Sequence, residues 1–145
     1  MELDPEALKS LQSHTNAWAV KEAGGCAQKL RRYIQQAPSL RFFCGDDILV
    51  DEFIEAGATG LISVASNTWP EITQRLVQQL LQNRRQRIPE EFRRAAQSLF
   101  LASNPVPVKA LLFELGIINS PLMLPPLSHE ALYHVGPVLA SHTQL

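Results

Sequence analysis

The spacing of apolar residues in the first third of the chain predicts a helix, a strand and a second helix. Asp4-Pro5 has the form of a helix N-cap followed by proline at the first helical position, and it predicts a short helix to about Ser13. Residues 17–21 then predict a strand. Residues 26–37 predict a helix, because four of their apolar residues fall at i, i+3, i+4 and i+7: Leu30, Tyr33, Ile34 and Ala37.

Two further pairs of strand and helix follow. The segment LRFFC at 40–44 is rich in aromatic residues and predicts a second strand, after which Asp46 caps a helix that stops at Gly57. The segment GLISVAS at 60–66 is apolar throughout, which predicts a third strand covered on both faces. The run Thr68-Trp-Pro-Glu71 has the form of a capping box and opens the next helix.

The last third of the chain predicts helices without strands. Residues 89–102 and 104–115 have helical patterns, and the segment 119–128 is an extended, proline-rich linker. Ser128 caps a last helix, which Pro137 should kink or interrupt. The charged link QNRRQR between the two parts of the chain is expected to be a solvated turn.

The order of these elements predicts an α/β fold with a parallel sheet. A helix is followed by three strand–helix units and then by helices alone, and alternation of this kind places the strands parallel to one another. The chain therefore divides into an α/β part over 1–87 and a helical region over 88–145. A parallel sheet of three strands has two unprotected edges, which indicates that the chain is part of a larger assembly.

The composition is that of an ordinary soluble globular domain. The chain has 145 residues, of which 46% are hydrophobic and 19% charged, and its net charge is -1. Nothing here supplies the basic face that nucleic acid requires, and no run reaches the ~18 apolar residues of a membrane span. The N-terminal MELDPEALKS has no signal-peptide core. We therefore expect a cytoplasmic protein that binds neither nucleic acid nor membranes.

The cysteines and histidines predict no metal site. Cys26 and Cys44 form no CxxC pair, and we expect two reduced, packed thiols. The four histidines are scattered and have no ligand spacing.

Candidate chemistry lies where the predicted strands end, since α/β enzymes carry their active sites at the carboxyl ends of strands. Lys21 ends the first strand. Desolvation there would disfavour its charge and make it a nucleophile, but a lysine that reaches solvent or pairs with Glu22 or Asp46 is equally consistent with the position. Gly45 could bring the backbone close to a small ligand or simply form a turn, and Ile62 would be a core residue.

Five segments together resemble the C-terminal half of the dihydrodipicolinate synthase family. They are VKEAGG, FFCGDD, GATGLISVASN, NPVPVKALLFELGI and LMLPPLS, and the resemblance extends from about Glu2 to Leu127. The lysine block is shared with related pyruvate-dependent aldolases, whereas NPVPVK is more specific to the synthase branch.

The resemblance implies the C-terminal part of a (β/α)8 barrel, with strands six to eight over 1–87 and an appended helical region over 88–145. Such enzymes condense pyruvate with aspartate semialdehyde in lysine biosynthesis. Lys21 matches the lysine that forms a Schiff base with pyruvate, and Gly45 and Ile62 match positions that line the pyruvate pocket. The resemblance implies no metal or organic cofactor.

The resemblance also implies that barrel strands one to five are absent. With them would go a threonine pair that holds the pyruvate carboxylate, a proton-relaying tyrosine and an arginine that guides the second substrate. Tyr33 and Tyr133 are not at strand ends and would not replace that tyrosine. The expected partners are copies of this chain, since the family forms tetramers, or a complementing N-terminal half. The alternatives are a catalytically incomplete half-barrel, a related pyruvate-dependent aldolase and a helical interaction domain.

Overall fold

A computed structural model of the chain describes residues 4–128 and 135–143. Its regular elements, in chain order, are α1 (Pro5–Leu11), β1 (Ala19–Glu22), α2 (Ala27–Gln36), β2 (Arg41–Cys44), α3 (Val50–Ala56), α4 (Pro70–Gln82), α5 (Glu90–Ser98), α6 (Val106–Glu114) and α7 (Val135–His142). Short 3-10 turns precede α3 at Asp47–Leu49 and α4 at Ala65–Asn67. The predicted α/β class is confirmed.

The chain divides into two compact units. The first comprises Met1–Ile62 with Leu76–Arg87, and the second comprises Ser63–Arg75 with Ile88–Leu145. Each unit is therefore discontinuous in sequence, and the segment Ser63–Arg75 belongs to the same unit as the C-terminal helices.

The sheet of the first unit contains two parallel strands among the described residues. Lys21 of β1 is in register with Phe43 of β2, and Glu22 with Cys44. The predicted third strand at 60–66 is wrong in its extent, because only a single parallel bridge joins Leu61 to Cys44. The Ala65–Asn67 turn follows almost at once, so the apolar run of this segment continues into a turn rather than a strand.

Helices cover one face of this sheet. α1 packs on α2, α2 on α3, and α3 on β2. The side chains between them are fully or nearly fully buried, and each contributes about 1.5–3 kcal/mol of hydrophobic stabilisation: Leu8, Leu30, Phe42, Val50, Phe53 and Ile54. The opposite face carries exposed Arg41 and Lys21, so within this chain the helices leave that face of β1 and β2 uncovered.

The end of α3 combines a glycine with a distant arginine. Gly57 adopts a φ of 121°, which other residues rarely adopt, and it ends the helix as its sequence position predicts. Arg84, from the link expected to be a solvated turn, donates from Nη1 to the carbonyls of Ile54 at 2.6 Å and Ala58 at 3.1 Å. The link therefore has a structural role at the C-terminus of α3.

The second unit is helical. α7 packs on α5 and α6, and α6 packs on the Ala65–Asn67 turn. Trp69 Nε1 donates to His142 Nδ1 at 2.8 Å, which ties α7 to the residue that precedes α4. The apolar face predicted for α5 is confirmed by burial of its members: Phe92, Ala95, Ala96 and Leu99.

Several local expectations have different outcomes. The Thr68 hydroxyl donates to the Ala65 carbonyl at 3.0 Å and so belongs to the preceding turn. Lys109, which its place at a helix start predicts to be a surface residue, donates from Nζ to the Leu122 carbonyl and joins α6 to the proline-rich segment. The start of the last predicted helix, just after Ser128, lies outside the described residues; the described part of α7 runs over Val135–His142 and includes Pro137.

Candidate functional site

The predicted site residues lie in the first unit, where its strands end. Lys21 is the third of the four residues of β1, and Gly45 follows the last residue of β2. Because the strands are parallel, their carboxyl ends lie at the same edge of the sheet. The fold thus brings Lys21 and Gly45 together, as the chain order of two strand–helix units predicts.

Lys21 and Gly45 are in close contact. A Cβ atom built on Gly45 would lie 2.7 Å from Lys21 Cε and 2.8 Å from the Cβ of Ala23. The Gly45 backbone N–H also donates to the Glu22 carbonyl at 2.8 Å, which extends the strand pairing by one residue. The lysine side chain therefore passes directly over the glycine, whose lack of a side chain leaves the necessary space.

Glu22 is not the partner of Lys21. It is 9% exposed, whereas Lys21 is exposed, because successive side chains of a strand point to opposite faces. Its carboxylate Oε1 accepts the N–H of Gly24 at 2.6 Å and so holds the turn that follows β1. The sequence allowed an ion pair between Lys21 and Glu22. In the structure the Glu22 carboxylate instead accepts the Gly24 N–H.

Of the two alternatives left open for Lys21, the structure shows the lysine that reaches solvent. The Lys21 face of β1 is open within this chain. What the site supplies is an accessible amine on a β-strand, held against the neighbouring strand by the contact with Gly45.

Two aromatic residues beside Lys21 were missed by sequence reasoning. Phe43 is the register partner of Lys21 and lies on the same face of the sheet. Trp18 meets it edge to face, with ring centroids 6.2 Å apart at 85°. Gly60 lies against the Phe43 ring, since a Cβ built there would be 3.0 Å from Cδ1 and Cε1. Only the strand register identifies Phe43 as a neighbour of Lys21, and the register is not visible in the sequence.

Ile62 lies beyond β2, at the position where a third strand would end. Its backbone N–H donates to the Cys44 carbonyl at 2.8 Å, and its side chain is 46% exposed rather than in the core. Ile62 is therefore held beside the residue that precedes Gly45, with its side chain available for contact.

Cys44 and Asp46 flank Gly45 and have structural roles. The buried Cys44 thiol donates to the Asp46 carbonyl at 3.1 Å. Burial raises the pKa of this thiol to about 12, and the charges of Asp46, Asp47 and Asp51 act in the same direction. The Asp46 carboxylate accepts the N–H of Ile48 at 3.0 Å, so it caps the following 3-10 turn.

The described part of the chain contains no group of three or more His, Cys, Asp or Glu side chains arranged to hold a metal ion. Within residues 4–128 and 135–143, no helix combines the length and the apolar character needed to cross a bilayer.

The sequence is similar to one family of enzymes over most of its length. Residues 1–135 match the Dihydrodipicolinate synthetase family. A 4-hydroxy-tetrahydrodipicolinate synthase from Wolbachia pipientis wMel is 39% identical over 130 residues, which is 90% of this chain and 44% of the relative. The enzyme of the same name from Francisella philomiragia is 41% identical over 128 residues, covering 86% of this chain and 43% of the relative.

Solved structures show the same relationship. The 4-hydroxy-tetrahydrodipicolinate synthase of Methylacidiphilum fumariolicum SolV matches with a TM-score of 0.79 and 30% identity, over 99% of this chain and 50% of that one. The chain spans about half the length of the relatives it matches. The resemblance to a C-terminal half, predicted from five motifs, is confirmed.

Proposed function

The chain belongs to the dihydrodipicolinate synthetase family, and from that premise we propose that it carries the Schiff-base lysine of a pyruvate-dependent lyase. Lys21 is the nucleophile, and Gly45 and Ile62 line the place where pyruvate binds. β1, β2 and the segment at Leu61 correspond to barrel strands six to eight. The reaction is the condensation of pyruvate with aspartate semialdehyde in lysine and diaminopimelate biosynthesis.

The amine forms the covalent bond to substrate, and a separate group must carry protons. The neutral Lys21 amine attacks the keto carbon of pyruvate, and loss of water forms an iminium ion. A base then takes a proton from the pyruvate methyl group, and the electron pair of the broken C–H bond moves towards the iminium to give an enamine. The enamine carbon attacks the aldehyde carbon of the second substrate, the aldehyde oxygen takes up a proton, and water hydrolyses the remaining iminium to release the product and the amine. No metal or organic cofactor takes part in these steps.

The observation that supports the proposal is the contact between Lys21 and Gly45. The amine projects from a strand near its carboxyl end, on the side of the sheet that the helices leave open. Sites of α/β enzymes lie at this end of the strands. The other candidate nucleophile at the site, the Cys44 thiol, is buried and has a pKa of about 12.

Turnover needs more groups than the described residues supply. A carboxylate clamp and a proton relay are required, and the family relatives are about twice as long as the segment they share with this chain. We propose that these groups come from an N-terminal barrel half, in the same polypeptide or in another chain, and that the assembled enzyme is a homo-oligomer in the cytoplasm.

The proposal is tested by trapping the imine. The full chain is incubated with pyruvate and borohydride, and each lysine peptide is analysed by mass spectrometry. We expect a reduced pyruvate adduct on Lys21, with little on the other three lysines, Lys9, Lys29 and Lys109. The variants Lys21→Ala and Lys21→Arg should lose it, and the arginine variant retains the positive charge.

Two results would contradict the assignment. One is an adduct that persists in Lys21→Arg, which would place the nucleophile elsewhere. The other is equal labelling of all four lysines, which would show ordinary surface reactivity. Addition of aspartate semialdehyde before borohydride should reduce the adduct on Lys21 if the enamine can complete the condensation.

A further inference from the structure

We propose that Gly45 is a positioning residue: the space left by its missing side chain is a slot that holds Lys21 Cε and thereby aims the amine. The inference rests on the proposed function for the role of the amine, but the slot itself is a property of the described residues. Gly45 acts through Lys21, in addition to any contact of its backbone with pyruvate.

The slot is closed by three contacts. A Cβ on Gly45 would lie 2.7 Å from Lys21 Cε, 2.8 Å from Ala23 Cβ and 3.2 Å from the Glu22 carbonyl oxygen. The first two distances are shorter than carbon atoms in proteins tolerate. Lys21 can move at small cost because it is flexible, whereas the Ala23 methyl group is fixed to the backbone. A methyl group at residue 45 would therefore push Lys21 away.

The requirement at Gly45 is one of space rather than backbone conformation. The described glycines with positive φ are Gly25, Gly57 and Gly116. Gly45 is not among them, so the φ of residue 45 does not itself require glycine. The effect of Gly45→Ala should fall both on the side chain of Lys21 and on the backbone at Ala23, so its free energy of unfolding is measured alongside.

The walls of the slot are held by backbone hydrogen bonds. The Gly45 N–H donates to the Glu22 carbonyl at 2.8 Å, and the preceding Cys44 N–H donates to the Gly60 carbonyl at 2.9 Å. A lysine side chain has about 2 kcal/mol of rotamer entropy when free. The contact of Cε with the backbone of Gly45 restricts some of these rotamers before substrate arrives, and the amine is only one bond beyond Cε.

The slot can be observed directly by nuclear magnetic resonance. In the chain labelled with ¹³C at lysine Cε, the Lys21 signal is identified by its loss in Lys21→Arg. We expect a nuclear Overhauser effect between the Lys21 Hε protons and the Gly45 Hα protons. In Gly45→Ala the Lys21 signal should shift, while those of Lys9, Lys29 and Lys109 stay in place.

Two glycine variants are matched controls. In Gly24→Ala the new Cβ would lie 2.6 Å from Glu22 Oε1, so a clash of similar size falls on the opposite face of β1. In Gly136→Ala it would meet nothing within 4 Å. Neither should move the Lys21 Cε signal as far as Gly45→Ala does.

The consequence for chemistry is measured by the rate of imine trapping against pyruvate concentration. Gly45→Ala should lower the rate at saturating pyruvate roughly tenfold, because small displacements of a reacting group are costly. The pyruvate concentration that gives half the maximal rate should change by a smaller factor than the maximal rate, because the variant misaligns the amine more than it weakens pyruvate binding. Adding Ala23→Gly, which removes the second wall of the slot, should restore part of the rate.

The two arms distinguish the inference from the function it rests on. Absence of the Lys21–Gly45 Overhauser effect in the unaltered chain, or an unchanged trapping rate in Gly45→Ala, would overturn the slot. The Overhauser effect is measured on the unaltered chain, so it tests the slot even if Gly45→Ala fails to fold. If the unaltered chain shows the Lys21–Gly45 Overhauser effect but forms no pyruvate adduct, the proposed function is overturned. The slot is then tested by the Overhauser effect and by the shift of the Lys21 Cε signal in Gly45→Ala.

Discussion

At the scale of single residues, the edge of the sheet separates two nucleophiles by their surroundings. The Lys21 amine is exposed, whereas the Cys44 thiol is buried and donates a hydrogen bond to the Asp46 carbonyl. Thiolate is the reactive form of cysteine, and burial among carboxylates disfavours it. Cys44 is therefore a packing residue, and it does not compete with Lys21 for a carbonyl substrate.

The raised pKa of Cys44 predicts a loss of stability at alkaline pH. The thiol holds its proton more tightly in the folded chain, with a pKa of about 12, than in the unfolded chain, where the value is 9.0. Its contribution is complete below pH 9.0 and declines as the pH rises towards about 12. Urea unfolding between pH 8 and pH 11 should show a shallower decline for Cys44→Ala than for the unaltered chain. Equal slopes would contradict the assignment.

At the scale of elements, the helices end where glycine permits but are held by residues distant in sequence. α3 stops at Gly57, and Arg84 then donates to two carbonyls at that end, 26 and 30 residues away along the chain. Carbonyls at a helix C-terminus have no partner within the helix, and a cation there also interacts favourably with the helix dipole. The charged link that follows α4 is thus hydrogen-bonded to the C-terminal end of α3 through Arg84.

Removal of the Arg84 side chain should destabilise the first unit. Arg84→Met keeps much of the aliphatic stem but loses both hydrogen bonds, and we expect a loss of about 1–2 kcal/mol in the free energy of unfolding. Arg85→Met is the matched control, because Arg85 is an exposed arginine like Arg84 but does not donate to the carbonyls at the end of α3, and it should change stability by less than about 0.5 kcal/mol. Equal effects of the two variants would show that Arg84 acts only through its charge.

At the scale of the whole molecule, the described part of the first unit has an unpaired strand edge at β1 and an uncovered sheet face. Both features are typical of a sheet that associates with additional strands or with another chain. Among the described strands, β1 pairs with β2 alone, which leaves its outer edge open. Trp18 is 64% exposed and Ile62 is 46% exposed. Trp18 precedes β1 and Ile62 lies on the far side of β2, and an open strand edge together with large exposed apolar side chains favours association. The relatives, at about twice the matched length, have further chain available for that face.

This open face predicts concentration-dependent association of the chain. Sedimentation or light scattering should detect species larger than a monomer at concentrations of tens of micromolar, and Trp18→Ser with Ile62→Ser should reduce them. Ile62→Ser should change the free energy of unfolding by less than about 0.5 kcal/mol, whereas Trp18→Ser also loses the edge-to-face contact with Phe43 and should cost about 0.5–1.5 kcal/mol. A chain that is monomeric at all concentrations, with or without these changes, would contradict the prediction.

Local patterns predicted a large share of this molecule. The α/β class, the positions of α1 to α6, the stop at Gly57 and the cap at Asp46 are confirmed, because periodicity, capping residues and glycine conformations act over a few neighbouring residues. Motif order predicted the family, which is also confirmed. The roles of Lys21, Gly45 and Ile62 stay predictions until the amine is trapped.

The strand prediction that was wrong and the choice left open for Lys21 both depended on groups far apart in the chain. An apolar run at 60–66 is compatible with a strand or with a bridge and a turn, and the choice depends on what pairs with it. Burial of Lys21 depended on a cover that this chain does not place on that face of β1.

The sequence by itself determined which segments are helical, where they stop and which lysine follows the first apolar strand, since these depend on short-range sterics and hydrogen bonds. Only the tertiary structure decided that Phe43 stands beside Lys21, that Glu22 turns to the opposite face and that Gly45 leaves room for the lysine side chain. The physical reason is strand register. If β2 were shifted by one residue relative to β1, the side chains of β2 would move to the opposite face of the sheet, and Lys21 would no longer lie beside Gly45.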